Sequence, residues 1–190
     1  MQDLDAADLK EISELIYSKY NYDFRNYAMS SFKRRVARIL EKNKLTLGNL
    51  LQKIDEMPRF VDEFVGELTV NVTEMFRDPR FWKVMRNDVL PAIRRQNKRF
   101  RIWHAGCSSG EEVVAMCILL DELGMIDDVS ITATDLDETM LSRAKSNRYP
   151  MKNMELNARN YIEGGGTGDL QHHYQQHNGE AMFDPALLRG

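Results

Sequence analysis

The chain has 190 residues, 43% of them hydrophobic, and a formal net charge of -3 at pH 7. This length can bury one good core, or one small helical domain plus part of a larger one. No apolar run is long enough to span a membrane, and the acidic start differs from the basic start of a signal peptide. The two cysteines, Cys107 and Cys117, argue against a disulfide framework. We therefore expect a soluble protein of the reducing cytoplasm.

The front of the chain is predicted to be helical. Apolar residues recur at helical spacing in four segments, which are separated by turns that contain Asn, Asp, Gly or Pro. These segments are residues 5–20, 30–43, 46–55 and 58–69. No strand pattern precedes Phe100. The sequence therefore predicts an all-α domain over residues 1–78.

Positive charge concentrates in the second predicted helix. Residues 1–98 hold 18 Lys and Arg against 15 Asp and Glu, whereas residues 99–190 hold 8 against 14. Over residues 25–44 only Glu41 opposes seven basic residues, and the apolar spacing predicts an amphipathic helix with positive outer faces. An acidic partner could dock there, although an ordinary solvated face fits equally, and the patch could also attract nucleic acid. The candidate partner-binding residues are Lys33, Arg34, Arg35 and Arg38.

Residues 79–98 are predicted to form a linker helix that leads to the first strand. Pro91 lies inside this segment, and because proline lacks an N–H it is expected to interrupt or kink the helix. Residues 99–190 are then predicted to form an α/β domain.

The most informative stretch runs from Ile102 to Glu112, where a short apolar strand enters a Gly/Ser turn and an amphipathic helix follows. Gly106 and Gly110 allow a tight turn and the close approach of a ligand because they lack a Cβ. A second apolar strand, residues 129–134, ends on Asp135, where an acid can accept hydrogen bonds from ribose hydroxyls. This order of elements indicates a nucleoside-cofactor domain, although such a turn can also serve only to pack helix on strand.

The last third of the chain carries weaker signals. Residues 137–148 are predicted to form a helix, and residues 153–168, which end in a glycine run, a flexible loop. This run is not a phosphate loop, because no strand leads into it and no Lys follows. His173 and His177 are assigned to a polar surface helix, and no metal site is expected because the acid of a His-Glu-x-x-His motif is missing.

A second polar constellation makes the interpretation specific: Asn71-Val72-Thr73-Glu74-Met75-Phe76-Arg77-Asp78-Pro79, with Phe81-Trp82 after it. Together with residues 103–112 and 133–137, it closely resembles the chemotaxis receptor methyltransferases, the CheR family, in order, spacing and content. The likeness extends from about Tyr20 onward. It implies an N-terminal all-α helical domain followed by the first part of a Rossmann-like S-adenosylmethionine-dependent methyltransferase domain.

The resemblance implies a pocket for S-adenosylmethionine (SAM), and the chemistry of its residues agrees. Arg77 suits the carboxylate of SAM, Glu111 its ammonium and Asp135 its ribose diol. Alternatively, Thr73 caps the following helix, a neighbouring acid pairs with Arg77, and the helix dipole alone favours Glu111. Found together at these spacings, the residues favour the pocket. The candidate cofactor-binding residues are Asn71, Thr73, Arg77, Gly106, Glu111 and Asp135.

The function that the resemblance implies is methylation of glutamate side chains on the cytoplasmic helices of chemoreceptors, with S-adenosylhomocysteine (SAH) as the product. A glutamate carboxylate is ionised near neutral pH and needs no general base, so no catalytic residue is assigned. The alternative is a non-enzymatic docking or regulatory module that binds an acidic receptor helix through residues 30–43. A nucleic-acid-binding protein is least favoured, because residues 99–190 are acidic overall.

The family's pattern continues beyond Gly190 with further strands, a second pocket segment and a small β-subdomain. Two parallel strands with an open edge are too few for a stable doubly wound sheet. We therefore expect either more sequence in the intact protein or self-association through the open sheet edge. The chain alone is expected to transfer methyl groups weakly or not at all.

Overall fold

The computed structural model describes residues 4–69 and 73–188, and the chain divides into two compact units, Met1–Val70 and Asn71–Gly190. This division lies eight residues before the domain boundary that the sequence predicts, and it places the linker helix in the second unit. In the described ranges, no helix has both the length and the apolar character that a bilayer crossing requires.

The first unit is all-α, as predicted. Its helices are α1 (Ala6–Tyr20), α2 (Met29–Asn43), α3 (Leu47–Glu56) and α4 (Pro58–Leu68). Asp5 and Asp8 form a capping box at the start of α1, in which each carboxylate accepts the other residue's N–H at 2.9 Å. The Thr46 hydroxyl accepts the N–H of Asn49 at the start of α3, and Pro58 opens α4, where its missing N–H has no consequence.

An apolar stripe on each of these helices forms the core of the first unit. The stripes follow helical spacing, so one face of each helix is buried and the other is solvated. Fully buried members of this core include Ile12, Ile16, Phe32, Val36, Leu50, Ile54, Val61 and Phe64.

The second unit alternates helix and strand. Its helices are α5 (Pro79–Val84), α6 (Leu90–Gln96), α7 (Glu111–Glu122), α8 (Glu138–Ser146) and α9 (Met154–Glu163). Its strands are β1 (Phe100–Ala105), β2 (Val129–Thr134), β3 (Arg148–Pro150), β4 (Tyr174–His177) and β5 (Glu180–Phe183). Helix α7 is buried at seven consecutive residues, Val114 to Leu120, because nearly all of its faces are apolar.

The predicted interruption of the linker helix takes the form of a π-helical turn. Helices α5 and α6 are joined by Met85–Val89, and the N–H of Leu90 bonds to the carbonyl of Met85, five residues earlier. Pro91 follows directly and supplies no N–H to the ladder, so the distortion lies in the turn that precedes it.

Strands β1 and β2 pair in parallel, with Phe100 opposite Val129 and Ala105 opposite Thr134. The start of β1 at Phe100, the bounds of β2 and the α/β fold agree with the sequence prediction. Each strand has one edge that no other strand within the described residues pairs with. The carboxyl ends of β1 and β2 lie side by side, which is where open α/β sheets bind ligands.

The part of the chain after α8 differs from the prediction. Residues 153–168 are not a flexible loop, because α9 occupies most of this range, and two buried asparagines hide its apolar periodicity. His173 and His177 do not lie on a surface helix: His173 ends a 3₁₀ turn and His177 ends β4, a short polar strand. Strands β3, β5 and β4 form an antiparallel sheet in that order, a small β-sheet that the sequence did not predict.

Candidate functional site

The turn between β1 and α7 is tied to the end of β2 by main-chain hydrogen bonds. The N–H groups of Gly106 and Cys107 both donate to the carbonyl of Thr134, at 2.8 and 2.9 Å. Ser108 adopts a left-handed conformation, with φ of +50°, and its N–H donates to the Asp135 carboxylate at 2.7 Å. The turn is therefore held in one conformation by the strand that follows it.

The two glycines of this turn have different roles. Gly110, at φ +91°, lies against α8, where a Cβ would be 2.9 Å from the Cβ of Ala144 and 3.0 Å from the Tyr149 hydroxyl. Gly106, at φ +81°, has no atom within 4 Å of the position of a Cβ. Gly110 is thus required by packing, whereas Gly106 leaves open space in which a ligand can approach the backbone.

Glu111 is a buried carboxylate at the start of α7. Its side chain accepts hydrogen bonds from the hydroxyls of Ser109, at 2.7 Å, and Thr73, and the residue is only 8% exposed. Burial raises the pKa of Glu111, and these two hydrogen bonds and the charge of Arg143 offset only part of that increase. Such a carboxylate would gain from a cationic ligand group placed against it.

Asp135 holds the carboxyl ends of both strands in place. One of its oxygens accepts from Ser108, and the other accepts the N–H of Asp137 at 2.9 Å. A carboxylate offers about four lone-pair sites, so two such bonds leave room for further donors. The side chain is half-buried, which leaves these positions within reach of a ligand.

The segment that begins at Thr73 has an unusual backbone. Met75 and Phe76 are buried, and both Phe76 and Asp78 have left-handed φ values, +55° and +56°. Such values are strained for a bulky side chain and persist only where surrounding contacts impose them. One such contact comes from Trp82, whose indole N–H donates to the carbonyl of Arg77 at 2.8 Å.

A cleft of about 320 Å³ opens beside this segment. Its lining residues are Glu74, Arg77, Asp78, Phe81, Trp82 and Glu112. Glu112 is the neighbour of Glu111 on α7, so the cleft adjoins the buried carboxylate. The imidazole of the buried His104 lies 2.8 Å from Glu112, and this contact lowers the pKa of the Glu112 carboxyl. The cleft therefore offers one guanidinium among several acids.

Five of the six candidate cofactor-binding residues fall within the described chain, and Asn71 lies outside it. Thr73 is hydrogen-bonded to Glu111, and Asp135 is hydrogen-bonded to the turn that starts at Gly106. Arg77 is exposed in the adjoining cleft. In residues 4–69 and 73–188, no group of three or more His, Cys, Asp or Glu is arranged to hold a metal ion.

Comparison with known families accounts for both units. The family model described as the all-alpha domain of CheR methyltransferases matches residues 7–69, and the SAM-binding domain of the same family matches residues 71–172. The chain belongs to the CheR methyltransferase family. The resemblance in the sequence is thus confirmed, and SAM is the cofactor of the second unit's domain type.

Individual CheR relatives extend over most of the chain. Cher3 of Pseudomonas putida is 39% identical over 181 residues, which is 95% of this chain and 66% of the relative. A chemotaxis protein methyltransferase of Listeria innocua is 30% identical over 161 residues, 81% of this chain and 62% of the relative. Chemotaxis protein methyltransferase 1 of Pseudomonas aeruginosa is 36% identical over 135 residues, 66% of this chain and 48% of the relative. The chain thus spans about half to two thirds of the length of these curated CheR relatives.

The basic residues of the CheR all-α unit fall into two groups. Lys33, Arg34 and Arg38 are exposed on α2. Arg35 is only partly exposed, and its guanidinium donates to the carbonyl of Thr69 at 2.9 Å, just after α4. Arg35 therefore holds two parts of its own unit together, and the outward charge of the helix lies on its neighbours.

Sequence reasoning did not single out several residues that contact the candidate site: His104, Ser109, Tyr149, Asn157 and Asn160. The Tyr149 hydroxyl donates to the carbonyl of Ser109 at 3.1 Å and so supports the turn from β3. The two-residue period of β1 places His104 on the same face as Ile102, which was a usable signal. The asparagines gave none, because they are distant in sequence from the segment that they contact.

Proposed function

We propose that this chain is the cofactor-binding part of a protein-glutamate O-methyltransferase that acts on chemoreceptors in the cytoplasm. The observation that carries the proposal is the buried Glu111 carboxylate, held by the hydroxyls of Ser109 and Thr73 beside the turn that Asp135 fixes. Membership of the CheR family and relatives named as chemotaxis protein methyltransferases support the same activity.

The residues present fit SAM group by group. The Glu111 carboxylate, which its neighbours only partly stabilise, suits the ammonium of SAM. The exposed guanidinium of Arg77 suits the carboxylate of SAM. Asp135 has acceptor sites left for the ribose hydroxyls, and Gly106 leaves space against the backbone. The role proposed for Asn71 depends on the sequence resemblance, since this residue lies outside the described chain.

Placement is the main task of these residues. When bound, SAM supplies an activated methyl group. The substrate glutamate is already ionised near neutral pH, so the chain needs no side chain to remove a proton. Thr73, Glu111 and Asp135 instead hold and orient the cofactor, and such orientation can supply several kcal/mol of a bimolecular barrier, on the order of 7–11 at its best.

Receptor binding is proposed for the exposed basic face of α2, formed by Lys33, Arg34 and Arg38. A helix with several exposed positive charges attracts an acidic, multi-glutamate helix and speeds the encounter. The chemotaxis names of the relatives support a chemoreceptor as this partner.

Isothermal titration with SAH tests the cofactor half of the proposal. We expect saturable heat with one site per chain. A receptor fragment that binds while SAH gives no heat would contradict the enzyme and support the docking module.

Methyl transfer tests the other half. A receptor cytoplasmic fragment is incubated with labelled SAM and the chain, with a full-length CheR relative in parallel. Because the chain spans about half to two thirds of the length of its relatives, we expect it to transfer methyl groups more slowly than the full-length relative. The transferred label should be released by alkali, as it is from glutamyl methyl esters. Label in alkali-stable form would place the methyl group on another kind of side chain.

Self-association is proposed for the unpaired edges of the parallel sheet. Trp103 on β1 is 69% exposed, and unpaired strand edges readily accept another strand. Light scattering of the chain should show dimers or larger species. A monodisperse monomer would contradict pairing between copies.

A further inference from the structure

We propose that Asn157 and Asn160 of α9 are positioning residues for the cofactor, because they set the backbone of the segment from Thr73 to Arg77. This inference rests on the proposed function of that segment. Neither asparagine lines the cleft, so each would act through the main chain that it holds.

The two asparagines form hydrogen bonds with both main-chain polar groups of Met75. The side-chain oxygen of Asn157 accepts the N–H of Met75 at 3.2 Å, and the side-chain nitrogen of Asn160 donates to the Met75 carbonyl at 3.2 Å. The same nitrogen of Asn160 lies 3.4 Å from the Glu74 carboxylate, a weaker contact. Met75 is thereby hydrogen-bonded as it would be in a β-ladder, although its partners are side chains of a helix.

Phe76, the residue that follows Met75, has a strained backbone. Phe76 has a φ of +55°, and its ring packs edge-on against Trp82 and Tyr161, with centroids 5.1 Å away in each case. Ring packing alone does not fix the direction of the main chain on either side. Hydrogen bonds to both polar groups of Met75 do, and they therefore set where Thr73 and Arg77 emerge.

Helix α9 has a burial pattern that helix packing alone does not explain. Asn157 and Asn160 are 2% and 8% exposed, whereas Leu156 and Ile162 on the same helix are 40% and 56% exposed. A helix that served only to fill the core would bury its apolar residues and expose its amides. The buried amides make sense as specific partners for main-chain groups.

Helix α9 is also anchored to the helix that carries Glu111. The Tyr161 hydroxyl donates to the Glu122 carboxylate at the end of α7, and Glu122 also pairs with Arg86. Burial and the Glu122 charge raise the pKa of Tyr161 to about 12, so this hydroxyl keeps its proton at neutral pH. The helix that holds Met75 is thus fixed against α7, the helix that presents Glu111.

The opposite hydrogen-bond directions of the two asparagines give a sharp test. Asn157→Asp keeps an acceptor for the Met75 N–H, whereas Asn160→Asp replaces a donor with an acceptor that faces a carbonyl. The two variants have the same shape and the same added charge. Asn157→Leu and Asn160→Leu remove the polar group at each position, and Asn153→Asp at the exposed start of α9 is the control.

We expect SAH affinity to fall about tenfold in Asn160→Asp and in both Leu variants, as one lost hydrogen bond implies. Asn157→Asp should stay within about threefold of the wild type, and Asn153→Asp should be unchanged. Urea unfolding shows that each variant is folded before titration. Equal losses in the two Asp variants, or no loss in Asn160→Asp and Asn160→Leu, would overturn the inference alone. A wild-type chain that fails to bind SAH would overturn the proposed function and the inference together.

Discussion

The two units of the chain bury different kinds of side chain. Among the described residues, the first unit buries a single polar side chain, Ser13, while the second buries His104, Ser108, Glu111, Asn157 and Asn160. Burying a polar group costs free energy unless it finds partners, so these groups are retained where they serve a purpose. All five lie in or directly behind the candidate site, His104 through its contact with Glu112 of the cleft.

Backbone conformation shows the same contrast. In the described part of the first unit, the non-glycine residues with positive φ are Asn21 and Lys44, which end helices α1 and α2. In the second unit, Phe76, Asp78 and Ser108 have positive φ within the segments that form the site. The first unit is therefore built from locally consistent elements, while the second concentrates strain and buried polarity around the candidate site.

The largest expected effect comes from the two glycines of the turn. Gly110→Ala should lower the free energy of unfolding by about 3–5 kcal/mol, because it combines a positive φ with a clash against α8. Gly106→Ala should cost only about 1–2 kcal/mol of strain, yet weaken SAH binding, because its Cβ occupies the ligand's space. Urea unfolding and titration measure both. Equal effects on stability would show that the turn is not packed as described.

Glu111→Gln should weaken SAH binding by about 2–3 kcal/mol, the value of a hydrogen-bonded charge, while Glu138→Gln in the first turn of α8 should not change it. An unaltered dissociation constant for Glu111→Gln would remove Glu111 from the site.

The same substitution should change the pH dependence of stability. The folded state raises the pKa of Glu111, so it holds a proton that the unfolded chain has already released. The wild type therefore loses stability as pH rises from the ordinary glutamate value through the raised one. Glu111→Gln cannot titrate and should not lose stability in this way. Its free energy of unfolding should therefore increase relative to that of the wild type from acid to neutral pH. A constant difference between the two proteins across that range would contradict the buried, ionisable state of Glu111.

Asp135→Ala should weaken SAH binding by about 1–3 kcal/mol, because a charged acceptor and the fixed turn are both lost. Asp137→Ala, which removes the cap of α8, should lower stability by about 1 kcal/mol and leave SAH affinity unchanged. If both variants weaken SAH binding alike, Asp135 acts only through local folding.

The smallest effect on folding is expected on the first unit. Reversing Arg34 and Arg38 to Glu should slow receptor association and flatten its salt dependence, with SAH affinity and stability unchanged. Arg35→Ala is the matched variant: it should lower stability, because Arg35 donates to the Thr69 carbonyl. Association rates measured at several salt concentrations decide the matter, and an unchanged salt slope after the reversal would show that the face is merely solvated.

The predictable parts of the molecule are those with local signals. Helical spacing located α1 to α4, and apolar runs located β1 and β2, because each period is fixed by one element's own geometry. The glycine turn and the acid that follows β2 pointed to the ligand end of the sheet. Helix α9 was missed because Asn157 and Asn160 are buried for contacts with Met75, about 80 residues away. Strands β3 to β5 were missed because they are only three or four residues long, too short for a clear alternating pattern. The inner role of Arg35 was hidden for a similar reason, since its partner lies on another helix.

A crystal structure of the chain with SAH tests the central claim most directly. We predict that the SAH ammonium lies against the Glu111 carboxylate, with the ribose hydroxyls on Asp135 and the backbone of Gly106 in contact with the ligand. A second cavity, of about 300 Å³, lies between α7, β2 and α8 and is lined in part by Cys107 and Cys117. SAH bound there, with Glu111 and Asp135 untouched, would contradict the site described for this unit.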